Sequence, residues 1–204
     1  MKLSCKAIAI AFGITVFLSP VSSAQERTAF AIKGAGGSSC VDYLTVARDE
    51  GNNRLGQYVG WANGYYSRLN QEESTTFDIA PWQSGRLLYL LLAEYCTQNL
   101  DRSFGEAVYA LGETLAAQRL TTQSPMRTYR VGEAEVALYE EVMRRVQQRL
   151  NVLYASNLEV NGDLDDRTVE WIKRLQSEHR LERTGVPNEA TLMQLFYPRN
   201  ANGD

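Results

Sequence analysis

One sequence unit occurs twice near the end of the chain, and this repeat limits the possible folds more than any other feature. The first copy spans residues 158–168 and the second spans residues 181–191. Each begins with Leu-Glu, reaches a glycine four residues later (Gly162 or Gly185), and ends with threonine. A repeated short unit predicts a small pseudo-symmetric module in which each copy forms one supersecondary element.

The residues within each copy predict a turn followed by a helix. Gly162 and Gly185 suit a tight turn that needs positive φ. Asp165 or Asp166 in the first copy, and Asn188 in the second, stand where a helix N-cap is expected. Apolar residues at helical spacing flank these turns: Val136, Tyr139, Val142, Met143, Val146, Leu150 and Leu153 before the first, and Val169, Ile172 and Leu175 after it. Three helices around one small core are therefore predicted.

The same residues resemble the type 1 peptidoglycan-binding domain, a three-helix module appended to cell-wall enzymes. The resemblance covers Val142 to Leu195 and keeps the order and spacing of the family pattern. Its matching residues include Gln147, Gly162, Thr168, Gln176, Gly185 and Thr191. The chain departs from the family at Asn161, Asp165 and Leu175, where Asp, Gly and Phe are usual. The resemblance implies a module that binds peptidoglycan.

The predicted ligand contacts are the polar or aromatic positions around the first glycine turn that are expected to be exposed. They are Tyr154, Asn161, Asp163, Arg167, Trp171 and Arg174. At each of these positions, the alternative is an ordinary structural role on the surface or in the core.

The N-terminus predicts export. Lys2 and Lys6 precede an apolar run that ends at Leu18, and small residues follow as far as Ala24, which is typical of a cleaved secretory signal. The run is too short to span a bilayer, although an uncleaved anchor is the alternative. Cleavage would remove two lysines and change the formal net charge from −3 to −5. We therefore predict a periplasmic protein that binds neither nucleic acid nor, after cleavage, a membrane.

Export places the two remaining cysteines, Cys40 and Cys96, in an oxidising compartment, which predicts one disulfide between them. A metal site would need further ligands, so neither a metal nor a cofactor is predicted. Four helices are expected around this disulfide: 40–47, 55–69, one that runs from Pro81-Trp82 to Cys96, and one from Phe104 to Leu115. The glycines of the second helix (Gly56, Gly60 and Gly64) predict close packing against another helix of the chain.

The segments around the two cysteines resemble the disulfide-flanking motifs of HdeA-like periplasmic proteins. These segments are residues 39–46 and 95–99, followed by Phe104. The Trp61-x-x-Gly64-Tyr65 element is also similar to helical immunity proteins of type VI secretion. The first resemblance implies acid-stress chaperoning of a protein client, and the second implies neutralisation of a toxin.

Catalysis is the least favoured reading of this sequence. His179 is the only histidine, which argues against zinc hydrolases and against a Ser-His-Asp triad. A small cell-wall hydrolase that uses carboxylates alone is the remaining alternative, with Glu72, Glu73 and Asp78 as the nearest cluster. We predict a protein that is not an enzyme.

Together these features predict an all-α protein with two folded domains. Residues 1–24 are the signal peptide, 25–38 a flexible leader and 39–120 the helical disulfide domain. Residues 121–132 are a linker, 133–197 the peptidoglycan-binding-like domain and 198–204 a tail. The predicted function is non-catalytic peptidoglycan binding through the last domain, with the first domain meeting a protein partner.

Overall fold

Four helices around an aromatic core form the N-terminal part of the protein, named here the N-terminal bundle. The computed structural model describes residues 31–49 and 53–197. The bundle consists of α1 (Cys40–Ala47), α2 (Leu55–Glu72), α3 (Gly85–Gln98) and α4 (Phe104–Ala116). At its centre the rings of Tyr43, Tyr58 and Phe104 lie 4.6 to 5.1 Å apart between centroids.

The predicted disulfide between Cys40 and Cys96 is confirmed. It joins the first residue of α1 to the last turns of α3, with the two Cα atoms 5.0 Å apart and both residues fully buried. The backbone N–H of Cys40 also donates to the carbonyl of Arg102, just before α4, at 2.8 Å. The cross-link therefore anchors α1 at the point where three segments of the bundle meet.

The third helix begins at Gly85, so the placement of Pro81 and Trp82 in its first turn was wrong. The side chain of Ser84 accepts a hydrogen bond from the backbone N–H of Leu87 at 3.1 Å and caps the helix there. Pro81 and Trp82 lie in the preceding connection and are buried.

The prediction that the α2 glycines pack against another helix is also wrong. Gly56, Gly60 and Gly64 are exposed, and a Cβ placed on any of them would meet no atom within 4 Å. The close approach occurs at Gly36 instead, where an added Cβ would lie 2.2 Å from the Trp61 ring. Gly36 belongs to a short 3-10 turn (Gly34–Gly37) within the segment predicted as a leader, and this turn contacts α2 and α4.

A β-hairpin corrects the all-helical prediction, although the described chain is mostly helical as expected. Strands β1 (Met126–Val131) and β2 (Ala134–Tyr139) pair antiparallel across a two-residue turn, where Gly132 has φ +60°. Strand β1 lies entirely within the segment predicted as a linker. Val136 and Tyr139, which were predicted to lie on a helix, belong to β2. One face of the hairpin packs against the helices that follow and buries Tyr129 and Leu138 in their core.

Three helices around a second core follow the hairpin, as the repeat predicts, and are named here the C-terminal module. They are α5 (Glu140–Tyr154), α6 (Asp166–Glu178) and α7 (Glu189–Phe196). Asp165 and Asn188 are the N-caps of α6 and α7, which confirms both predicted caps. Leu153, which the sequence pattern assigned to the apolar stripe of α5, is 48% exposed and lies outside this core.

The N-terminal bundle and the C-terminal module contact each other directly. Trp82 packs against Phe196 and Tyr197, with ring centroids 5.7 and 5.8 Å apart. Glu189 accepts a hydrogen bond from the backbone N–H of Ser84 at 2.7 Å. The described residues from Ile32 onward consequently form one compact unit. No helix in the described ranges is long and apolar enough to cross a bilayer.

Removing the disulfide is expected to destabilise the chain substantially. The bond closes a loop with a sequence separation of 56, and the chain-entropy model gives about 4 kcal/mol for a loop of that size. We predict that the double variant Cys40→Ser/Cys96→Ser loses about 2 to 4 kcal/mol of unfolding free energy, measured by urea titration. As a control, reducing agent should lower the stability of the wild type but not of the variant. An unchanged urea midpoint in the variant would contradict this account.

Candidate functional site

A buried glutamine organises the first glycine turn of the C-terminal module. Gln147 on α5 accepts a hydrogen bond through Oε1 from the backbone N–H of Gly162 at 2.9 Å. Its Nε2 donates to the carbonyl of Asp163 at 2.9 Å and to the Thr168 hydroxyl at 3.5 Å. Because Gln147 is 1% exposed, its amide supplies the hydrogen bonds that water would otherwise make to the backbone of this turn.

The second copy repeats the same arrangement around Gln176, which is fully buried on α6. Its Oε1 accepts from the N–H of Gly185 at 2.9 Å, while Nε2 donates to the carbonyl of Val186 and to the Thr191 hydroxyl, both at 3.0 Å. Gly162 and Gly185 have φ of +82° and +78°, which confirms their predicted turn conformation. The two arrangements are called the glutamine clamps here.

The glutamine clamps explain why glutamine, glycine and threonine recur in the sequence. Thr168 and Thr191 are as buried as the glutamines that donate to them. The repeated glutamines, glycines and threonines therefore hold the module together and are not available to a ligand.

Three of the six predicted contacts meet at one surface, named here the aromatic cluster. The rings of Tyr154 and Trp171 stack with centroids 5.3 Å apart and an interplanar angle of 25°. The guanidinium carbon of Arg174 lies 5.0 Å from both ring centroids, which is within the range of a cation–π contact. The cluster thus combines flat apolar faces with one positive charge.

Glu178 fixes the geometry of the aromatic cluster, and its role was not foreseen. It accepts hydrogen bonds from the Tyr154 hydroxyl at 2.6 Å and from Arg174 Nε at 2.9 Å. The bond from Tyr154 and then that from Arg174 lower the pKa of the Glu178 carboxyl, while burial and the nearby carboxylate raise the pKa of Tyr154 to about 12. The i, i+4 spacing of Arg174 and Glu178 on α6 was the available sequence signal.

The aromatic cluster exists only once because the two copies differ in length. Ten residues separate Gln147 from Leu158, but four separate Gln176 from Leu181. The six extra residues extend α5 as far as Tyr154. At the repeat offset, the counterpart of Trp171 is Gln194, which has no ring to stack. The symmetric residues build the scaffold, and the asymmetric ones build the cluster.

The other three predicted contacts make hydrogen bonds to other parts of the chain. The Asn161 side chain accepts from the backbone N–H of Asp163 at 2.8 Å, inside the first turn. Asp163 accepts from Arg127 of the hairpin at 2.9 Å. Arg167 donates to the carbonyl of Ser156 at 3.2 Å. Arg127 was missed because only the hairpin, which the sequence reading lacked, brings it to this turn.

Comparison with known protein families finds a match for the C-terminal module. Residues 140–195 match the family model described as "Putative peptidoglycan binding domain". This match supports the resemblance drawn from the repeat, whereas nothing supports the resemblance of the N-terminal part to HdeA-like proteins. No curated protein and no solved structure matches the chain. Among the described residues, no group of three or more His, Cys, Asp or Glu side chains is arranged to hold a metal ion.

Breaking a glutamine clamp is expected to destabilise the module strongly. In Gln176→Leu, the buried N–H of Gly185 loses its partner, while the carbonyl of Val186 keeps only the hydrogen bond from the Thr184 hydroxyl at 3.3 Å. An unsatisfied buried group costs about 1 to 3 kcal/mol. We expect a loss of about 3 kcal/mol in unfolding free energy, measured by chemical denaturation. The matched control Gln148→Leu, at an exposed position of α5, should change stability by less than about 0.5 kcal/mol. Equal effects of the two substitutions would contradict the clamp.

Acid is expected to weaken the N-cap of α6. Hydrogen bonds from Thr168 lower the pKa of Asp165 in the folded state. The stabilisation from this carboxylate is therefore present above its unfolded pKa of about 4 and is lost as the pH falls through the folded value. Asp165→Asn keeps a capping side chain that does not titrate, so its melting temperature should fall less between pH 6 and pH 3 than that of the wild type. Equal falls in the melting temperatures of the wild type and Asp165→Asn over this pH range would contradict this interpretation.

Proposed function

We propose that the protein is an exported peptidoglycan-binding protein that contacts the cell wall through the aromatic cluster of its C-terminal module. The family match at residues 140–195 suggests peptidoglycan as the ligand and the cell envelope as the location. The observation that carries the proposed site is the convergence of Tyr154, Trp171 and Arg174 on one surface, outside the repeated scaffold.

The chemistry of the aromatic cluster suits a sugar that carries an acidic peptide. Ring faces pack against the apolar faces of sugars, and a guanidinium binds carboxylates. Arg174 uses only Nε for Glu178, so its two terminal nitrogens have no hydrogen-bond partner within the described part of the chain. Because Glu178 already orders both Tyr154 and Arg174, a ligand would meet a preorganised surface and would lose less side-chain entropy on binding.

We include in this proposal that the protein binds its ligand without cleaving it. Glu72 and Glu73, from the carboxylate-only alternative, are exposed at the end of α2, and Glu72 pairs with Arg68. Asp78 is part-buried and accepts a hydrogen bond from the backbone N–H of Ala80 at 3.0 Å. His179 is exposed at the end of α6. These settings resemble those of ordinary surface and turn residues.

Co-sedimentation of the purified full chain with isolated sacculi tests the proposed function. We expect the wild type to pellet, and Arg174→Ala and Trp171→Leu to bind about tenfold more weakly, equivalent to about 1.4 kcal/mol. The matched control is Arg183→Ala, which removes one exposed arginine from the second copy and should leave binding unchanged. Circular dichroism checks that each variant is folded. If Arg174→Ala and Arg183→Ala pellet equally, the aromatic cluster is not the contact; if the wild type stays in solution, the proposed function fails.

A further inference from the structure

A groove of about 420 Å3 lies where the N-terminal bundle meets the C-terminal module. Helix α5 lines it with Arg145, Gln148 and Arg149, and two aromatic residues, Trp82 and Phe196, also line it. Its volume falls within the range of about 300 to 1,000 Å3 that is usual for small-ligand sites. No residue of the aromatic cluster lines the groove, so it is a separate feature of the surface.

The two arginines of the groove have different roles. Arg145 donates to the carbonyls of Gln118 and Arg119 at 2.6 and 3.1 Å, which ties it to the end of α4. Arg149 donates only through Nε, to the carbonyl of Leu195 at 3.0 Å. Its two terminal nitrogens have no partner among the described residues, and no acidic side chain lines the groove. A guanidinium held at Nε presents two parallel donors, which is the geometry that binds a carboxylate.

Gln118 adds an unsatisfied acceptor to the same groove. Its Nε2 donates to the carbonyl of Phe196 at 3.2 Å, which fixes the orientation of the amide. Its Oε1 is buried and has no hydrogen-bond partner within the described residues. A buried acceptor without a partner is uncommon in folded proteins and fits a site where a ligand supplies an N–H.

Trp82 and Phe196 give the groove an apolar wall. Their ring centroids lie 5.7 Å apart at an interplanar angle of 38°. Trp82 comes from the N-terminal bundle and Phe196 from the C-terminal module, so neither part alone forms the wall. A ligand of this groove would therefore combine an apolar group, an N–H donor and a negative charge.

We propose that the groove binds the carboxylate end of a short peptide with small side chains. The carboxylate would pair with the terminal nitrogens of Arg149, the last peptide N–H would donate to Gln118 Oε1, and a methyl side chain would pack on Trp82 and Phe196. This inference rests on the proposed function for its source of ligand, since peptidoglycan carries short peptides that end in free carboxylates. In this proposal, the N-terminal bundle contacts the ligand directly through Trp82.

The test uses N-acetyl-D-alanyl-D-alanine as the probe and its C-terminal amide as the uncharged analogue. Binding to the full chain is followed by two-dimensional NMR, with the Trp82 indole and the amides around Arg149 as reporters. We expect saturable shifts with the acid and at least about tenfold weaker binding of the amide. Arg149→Gln should weaken binding of the acid by a similar factor. Arg130→Gln, which removes an exposed arginine from the hairpin, should bind as the wild type does.

A second variant guards against loss of fold in Arg149→Gln. Gln148→Glu changes an exposed side chain that has no hydrogen bond within the described residues, and its negative charge should weaken binding of the acid but not of the amide. Equal affinity for acid and amide, no binding of either, or equal affinity of Arg149→Gln and Arg130→Gln overturns the proposal. If sacculi still pellet after any of these results, the proposed function stands without the groove; if sacculi fail to pellet while the acid binds, only the proposed function falls.

Discussion

Two buried glutamine side chains hold the C-terminal module together, and its other features depend on them. Each turn of the repeat brings backbone N–H and carbonyl groups into the interior, where water cannot satisfy them. The amide of Gln147 or Gln176 offers both an acceptor and a donor, so one side chain satisfies both kinds of group. With the turns fixed in this way, the N-caps at Asp165 and Asn188 start the next helices at defined positions.

The three departures from the family pattern leave the glutamine clamps intact. Asp165 replaces a usual glycine and serves as the N-cap of α6, while Leu175 replaces a phenylalanine and is fully buried in the core. Asn161 accepts a hydrogen bond from within the first turn, a role that either Asn or Asp can fill. None of the three residues provides the amide that closes a clamp, so the module keeps its fold with these replacements.

A symmetric scaffold with an asymmetric surface suits recognition. The repeated glutamines, glycines and threonines are buried. The aromatic cluster is formed by the longer α5 and by Trp171, which has no aromatic counterpart in the second copy. Contacts between the two parts of the protein add another asymmetric element, because Trp82 reaches Phe196 and Gln118 donates to its carbonyl. The N-terminal bundle, stabilised by the disulfide between Cys40 and Cys96, thereby extends the surface of the module.

The sequence by itself determined the three helices of the module, with their caps and glycine turns. It also determined the disulfide and the four helices of the N-terminal bundle. These features follow from local rules, since helical periodicity, capping and positive φ act over a few residues. It also placed Tyr154, Trp171 and Arg174 among the possible contacts. Only the tertiary structure shows that these three side chains contact one another, whereas Asp163 pairs with Arg127 and Arg167 donates to the carbonyl of Ser156. The tertiary structure also determined the hairpin, the exposure of the α2 glycines and the groove at Arg149. Each of these depends on which distant segment covers a surface, and no local pattern records that.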